Sequence, residues 1–262
     1  MIQSEPLEIL ITNDDGIQAP GIKVLTKIAK KFGNVTVVAP NKPQSGMSSA
    51  ITIGKPLRLN EVSFLEGVKA YACSGTPVDC VKLGIDKVCV KKPDLCLSGI
   101  NHGSNSAINV VYSGTMAAAI EGAIQNINSI GFSYLPHSHD ADMTICEKAI
   151  LQVFDMISQY GFPPNRLLNV NIPEGLPTDL KGLKICRQAN ARWEERYDER
   201  EDPFGLKYYW LTGDFVDYEP ENQQTDLFAL AQGYASVVPI EYDLTEETSL
   251  DWLHQNWKNE IG

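Results

Sequence analysis

Short apolar runs alternate with stretches of helical spacing along most of the chain. Leu7 to Ile11 is continuous enough to be a buried strand, whereas Ile22, Leu25, Ile28, Ala29 and Phe32 recur at helical spacing within residues 17 to 32. "VTVVAP" (35–40), "YACSG" (71–75) and "PDLCLSGI" (93–100) predict three further strands, each ending in turn residues. Helical patterns cover 77–85, 115–127 and 142–160. Strand and helix in alternation predict an α/β fold with a Rossmann-like parallel sheet covered on both faces. "AITIGKPLRL" (50–59) interrupts that rhythm, and its central Gly-Lys-Pro predicts a hairpin excursion.

The pattern changes after about Pro177. "LKICRQA" and "LKYYWLTG" predict strands around a charged connection, residues 191–205. "TDLFALAQG" predicts a short helix closed by Gly233, "YASVVPI" a strand, and "SLDWLHQNWKNEI" a terminal amphipathic helix with Leu250, Leu253 and Trp257 on one face. The chain therefore reads as one α/β domain over 1–262, with a Rossmann-like catalytic core over 1–177. Residues 178–262 form a C-terminal extension of β-hairpin and helix. Between Asn190 and Asp217, Trp193, Tyr197, Phe204, Tyr208, Tyr209 and Trp210 stand among many charges, the composition of an interface.

The apolar runs break into polar clusters where strands should end. Asp14 and Asp15, with Gly16 after them, follow the first strand; two adjacent carboxylates repel, and a divalent cation or a basic residue would satisfy them. "PNKPQSGMSS" (40–49) follows the second strand and "SGINHGSN" (98–105) ends the fourth. In "YSGTMAAAIEGA" (112–123), Ser113, Gly114 and Thr115 open an Ala-rich helix. In a parallel sheet at least the first three converge on one edge. Oxygen ligands from Asp, Asn and Ser suit Mg²⁺ or Mn²⁺, and a helix start offers N–H groups to an anion. His102 is the one histidine inside a cluster and a candidate proton donor; His137 and His139 have H-x-H spacing in what reads as a loop.

Charge and cysteine content narrow the classes. A net charge of −11 excludes a nucleic-acid duplex as the main partner but leaves a small phosphorylated substrate open if a metal supplies local positive charge. Six cysteines, at 73, 80, 89, 96, 146 and 186, include no C-x-x-C pair and mostly sit among apolar neighbours, the pattern of reduced core residues. With no leader and no run long enough to span a bilayer, the expected compartment is the cytoplasm, without a membrane partner.

Seven ordered stretches, "NDDG", "QSGMSSAIT", "SGTPVDCV", "PDLCLSGINHGSN", "VYSGTMAAAIEGA", "DPFGLKYYWLTGD" and "TDLFALAQGYASVVPIEYDLT", resemble the signatures of the SurE family of survival proteins, stationary-phase 5'-nucleotidases. The resemblance covers nearly the whole chain. It implies a metal-dependent phosphatase acting on nucleoside 5'-monophosphates, often also on 3'-monophosphates. It implies one divalent cation, Mg²⁺ or Mn²⁺, held by Asp14, Asp15, Ser45 and Asn101; Asp14 and Asp15 are also the candidate catalytic groups, as general base or as nucleophile. Asn105, Ser113, Gly114 and Thr115 would line the phosphate pocket, and the extension would pair chains into a homodimer or homotetramer. The chain departs from the pattern at Lys42-Pro43, where the family usually carries an arginine, and at Ala107 and Asn109, where it usually has Gly and Asp. A receiver-like signalling module also sets an acidic pair after its first strand, but it needs a phosphoacceptor Asp ending a middle strand, and the strand ends here carry Ser74 and Ser98.

Overall fold

The structure, a computed structural model, describes residues 6–138 and 140–257. Its first half runs β1 (Leu7–Thr12), α1 (Pro20–Ala29), β2 (Gly33–Pro40), β3 (Leu59–Glu61), β4 (Lys69–Cys73) and α2 (Pro77–Leu83). There follow β5 (Leu95–His102), α3 (Asn109–Tyr112), α4 (Gly114–Ile124), β6 (Asn128–Tyr134) and α5 (Thr144–Tyr160). The remainder is β7 (Leu167–Ile172), β8 (Leu183–Ile185), β9 (Ala191–Glu201), β10 (Lys207–Asp217), α6 (Asp226–Ala231), β11 (Ala235–Pro239) and α7 (Glu247–Asn256).

Among the described residues nine strands form one sheet in the order β3-β4-β2-β1-β5-β6-β7-β11-β8. Its central strands are parallel; β3 pairs antiparallel with β4, and β11 antiparallel with β7. Alternation of side chains along a strand explains how both faces are buried. Ile9 and Ile11 of β1 pack in one apolar cluster with Ile22 and Leu25 of α1 and Ile145 and Ile150 of α5. Leu10, between them, packs on the other face with Cys80 and Val81 of α2 and Ala118 of α4. Helix α1 starts on Pro20, where the missing N–H has no intrahelical role, and α2 starts in a capping box between Thr76 and Asp79.

Several expectations need correction. Residues 50–59 form no hairpin; the segment is tied to α2 instead, Thr52 donating from N (3.0 Å) and Oγ1 (2.6 Å) to the Asp79 carboxylate, and Thr76 Oγ1 donating to the Ala50 carbonyl at 2.7 Å. The charged stretch 191–205 is largely strand β9, which pairs with β10 from Ala191↔Asp217 to Lys207↔Glu201. Strands β6 and β7 are not among the strands that the sequence reading predicts. The helix expected over 77–85 is α2 followed by a π turn at Gly84–Val88, closed by the Cys89 N–H on the Gly84 carbonyl at 2.9 Å. Strands β8 and β11, beyond Pro177, continue the main sheet. The last residues of the expected terminal helix, and His139, lie outside the described residues.

Candidate active site

Along the sheet, strand order reverses between β1 and β5: β2 and β4 lie to one side of β1, β6 and β7 to the other. At such a switch point the loops leaving the strands part and open a crevice at their C-terminal ends. Asp14 and Asp15 leave β1 there, and Asn101 and His102 end β5 there. The turn after the acidic pair is rigid. Asn13 Nδ2 donates to the Gly16 carbonyl at 3.0 Å, and Gly16, at φ +95°, occupies a left-handed conformation that favours glycine. The Ile17 N–H reaches the Pro40 carbonyl and the Gln44 N–H the Asp14 carbonyl, each at 2.8 Å, so the loop carrying Ser45 is pinned to the first cluster. The His102 N–H donates to Asp15 Oδ2 at 3.3 Å, and Asn101 Nδ2 to the Gly103 carbonyl at 2.7 Å, so that only the side-chain oxygen of Asn101 could serve a cation.

Helix α4 closes the site. Ser113 is its N-cap, accepting the Met116 N–H at 3.0 Å. Gly114 allows the helix start to meet the acidic pair, since a Cβ there would lie 2.8 Å from Asp14 Cβ. Thr115 donates its hydroxyl to Asp14 Oδ1. Asp14 is 4% exposed. Its carboxyl is pushed up from the ordinary 3.8 to about 6; burial is the main cause, the Thr115 hydrogen bond opposes it, and the charge of Asp15 adds to the rise. A buried carboxylate beside a second one is the demand that a cation meets. The donors at hand, two carboxylates, a serine hydroxyl and an asparagine carbonyl, are all oxygens and fit a hard divalent ion.

That electrostatic demand predicts a pH effect in metal-free protein. A carboxyl raised in the folded state is favoured in its protonated form, so its contribution is fully present below about pH 4 and is lost as pH rises through about 6. The loss is about 2–3 kcal/mol. Thermal melts of chelated wild type and Asp14→Asn isolate it: the wild type falls relative to the variant between pH 4 and pH 7. A difference between the two that does not change with pH contradicts the assignment.

The predicted phosphate residues meet at this same edge, but their side chains have prior partners. The Thr115 hydroxyl serves Asp14, so toward an anion this residue offers its backbone N–H in the first turn of α4, where intrahelical acceptors are lacking. Asn105 is 6% exposed and held by three hydrogen bonds: Nδ2 donates to Ser133 Oγ at 2.8 Å, its N–H to Asn171 Oδ1 at 2.8 Å, and its carbonyl accepts from Asn169 Nδ2 at 2.9 Å. Asn171 Nδ2 in turn donates to Asn169 Oδ1 at 3.0 Å. Sequence reading missed these two asparagines. Their signal was present in "LLNVNI", two carboxamides two residues apart in an apolar strand, hence on one buried face. Ala107 stands at φ 51°, a left-handed conformation, where the family pattern carries Gly; its N–H is held by Asp226 Oδ2 at 2.8 Å.

One cavity of about 720 Å³ joins all four clusters, lined by Asp14, Asp15, Ser45, Asn101, Asn105 and Ser113. His102 and His137 are also in its wall, and the His102 ring is anchored by Nδ1, 3.1 Å from the Ser138 carbonyl. Among the described residues no group of three or more His, Cys, Asp or Glu is arranged to hold a metal; the H-x-H pair includes His139, which lies outside those residues.

The family profile described as Survival protein SurE matches residues 9–195. The chain is 51% identical to 5'-nucleotidase SurE of Flavobacterium psychrophilum, over 97% of this chain and 98% of that protein. It is 52% identical to 5'-nucleotidase SurE of Christiangramia forsetii, over 94% of each. In structure it matches the SurE protein of Aquifex aeolicus with a TM-score of 0.82 and 35% identity, covering 95% of this chain and 98% of that one.

Proposed function

Since the chain belongs to the survival protein SurE family, we infer that the crevice hydrolyses nucleoside 5'-monophosphates to nucleoside and inorganic phosphate. The protein is a phosphoric monoester hydrolase of the 5'-nucleotidase type. The observation that supports this most is the seating of Asp14 against the start of α4, which sets a cation site beside an anion site. Nucleoside 3'-monophosphates are a second substrate class.

In this reading Asp14, Asp15, Ser45 and Asn101 hold one Mg²⁺ or Mn²⁺. The cation, when bound, supplies the positive charge that offsets the phosphoryl oxygens. Ser113, Gly114 and Thr115 orient the phosphoryl group through backbone N–H groups at the positive end of α4. Asn105, fixed by Asn169 and Asn171, keeps the β5 loop from drifting relative to the carboxylates. Either Asp14 or Asp15 accepts the proton of the attacking water, and most of the rate enhancement comes from positioning and charge. A panel of phosphomonoesters assayed with Mg²⁺, Mn²⁺ and chelator tests it. Turnover of nucleoside monophosphates is expected; turnover confined to other esters would contradict it.

The molecule works in the cytoplasm as one α/β domain whose residues 178–262 pair chains into a homodimer or homotetramer. All six cysteines are unpaired, and among the described residues no helix is long and apolar enough to cross a membrane. The β9–β10 hairpin leaves Tyr197 (69%), Trp210 (57%) and Leu211 (55%) exposed, an apolar surface that a second chain would cover. Replacing 197–211 by a two-residue Gly-Ser turn, which keeps the Arg196↔Thr212 pair, is expected to shift the protein to smaller species in analytical ultracentrifugation. A wild type that sediments as a monomer at micromolar concentration contradicts the interface.

A further inference from the structure

The cavity is longer than a phosphate needs. From the polar end it continues to Tyr112, Trp193, Phe215, Leu227 and Leu230. Its volume of about 720 Å³ is in the range of sites for whole small molecules. Trp193 stands at the root of the hairpin, directly across from Phe215 in the β9–β10 register. Their rings are 5.2 Å apart and inclined at 58°, and Trp193 Nε1 donates to Asn109 Oδ1 at 2.9 Å. Behind them Phe215 and Leu227 pack on buried Ala107, Ala189 and Ala191. The indole is thus fixed by a hydrogen bond and a ring contact, yet 46% exposed. A rigid, half-open aromatic surface in a ligand cavity costs little entropy when a flat ring stacks on it.

We propose that Trp193, with Tyr112, is the stacking platform for the base of the nucleotide, so the enzyme recognises its substrate at two ends. This rests on the nucleotidase reading of the polar end. With the phosphate held at α4, the base can occupy only the cavity's other end. Asn109, which lines the same cavity, already spends its oxygen on Trp193. Recognition by stacking tolerates any base and favours purines through their larger π-face.

The test compares wild type, Trp193→Ala and Trp193→Phe on adenosine 5'-monophosphate and on ribose 5-phosphate, which lacks the base. Trp193→Ala is expected to raise KM for the nucleotide about tenfold at unchanged kcat, with Phe restoring most of it. Neither change alters kcat/KM for ribose 5-phosphate. Tyr112→Ala, which removes a ring that is 57% exposed and leaves the hairpin intact, gives the same split if Trp193→Ala does not fold. Equal losses on both esters, or none on the nucleotide, overturn the platform. A wild type that hydrolyses neither ester strikes the nucleotidase reading instead. Calorimetry with adenosine then decides the platform: binding weakened about tenfold by removing either ring supports it, and unchanged binding overturns it.

Discussion

Asp14→Asn is expected to lower kcat about a thousandfold and to weaken Mg²⁺ and Mn²⁺ binding while the fold survives. The substitution is nearly isosteric, and the carboxamide oxygen still accepts the Thr115 hydroxyl that now reaches Asp14. What disappears is one of two negative charges at the place where the β1 turn, the Ser45 loop and the α4 start meet. Because the carboxyl is buried and held up to about 6, its removal does not cost stability at neutral pH in the metal-free protein. A loss of activity in a variant that melts no lower than wild type therefore belongs to the chemistry. Steady-state kinetics, metal titration calorimetry and melts on the same preparations check it. A variant that keeps more than about a tenth of wild-type kcat shows that this carboxylate is not central.

Chelation is expected to abolish turnover, and Mg²⁺ or Mn²⁺ to restore it. Without a cation the site presents Asp14 and Asp15 to a doubly charged phosphoryl group, and like charges at such range repel strongly where water is scarce. The start of α4 supplies only about half a positive charge, too little to reverse that balance. Phosphate release in excess EDTA, with metal analysis confirming an empty protein, measures the effect. Full activity under those conditions contradicts the assignment of Asp14, Asp15, Ser45 and Asn101 as cation ligands.

The candidate edge was legible in the sequence because its signals are local. Asp14 and Asp15 interrupt an apolar strand, and Ser113 caps a helix whose Ala-rich run has high helix propensity. The structure joined these clusters through contacts distant in sequence, such as Gln44 on Asp14 and Thr115 on Asp14. Strands β6 and β7 escaped because "NSIGFSY" and "LLNVNI" carry Ser and Asn at buried positions, where polarity answers to a hydrogen-bond network rather than to solvent. Strand β9 escaped for the opposite reason: charge at most positions gives no apolar face, and the strand exists by pairing with β10. In 50–59 the Gly-Lys-Pro turn chemistry was real, but Asp79 and Thr76 hold the flanking residues where a partner strand would have to lie. The role of Trp193 was invisible because its place in the cavity depends on hairpin register.

The most direct test counts inorganic phosphate released per chain from a nucleoside 5'-monophosphate in Mg²⁺ or Mn²⁺. A phosphomonoesterase built on Asp14, Asp15 and the α4 start releases phosphate linearly through many turnovers per chain. Release that stops at one phosphate per chain with the protein left phosphorylated, or no release at all from metal-loaded protein, contradicts the account.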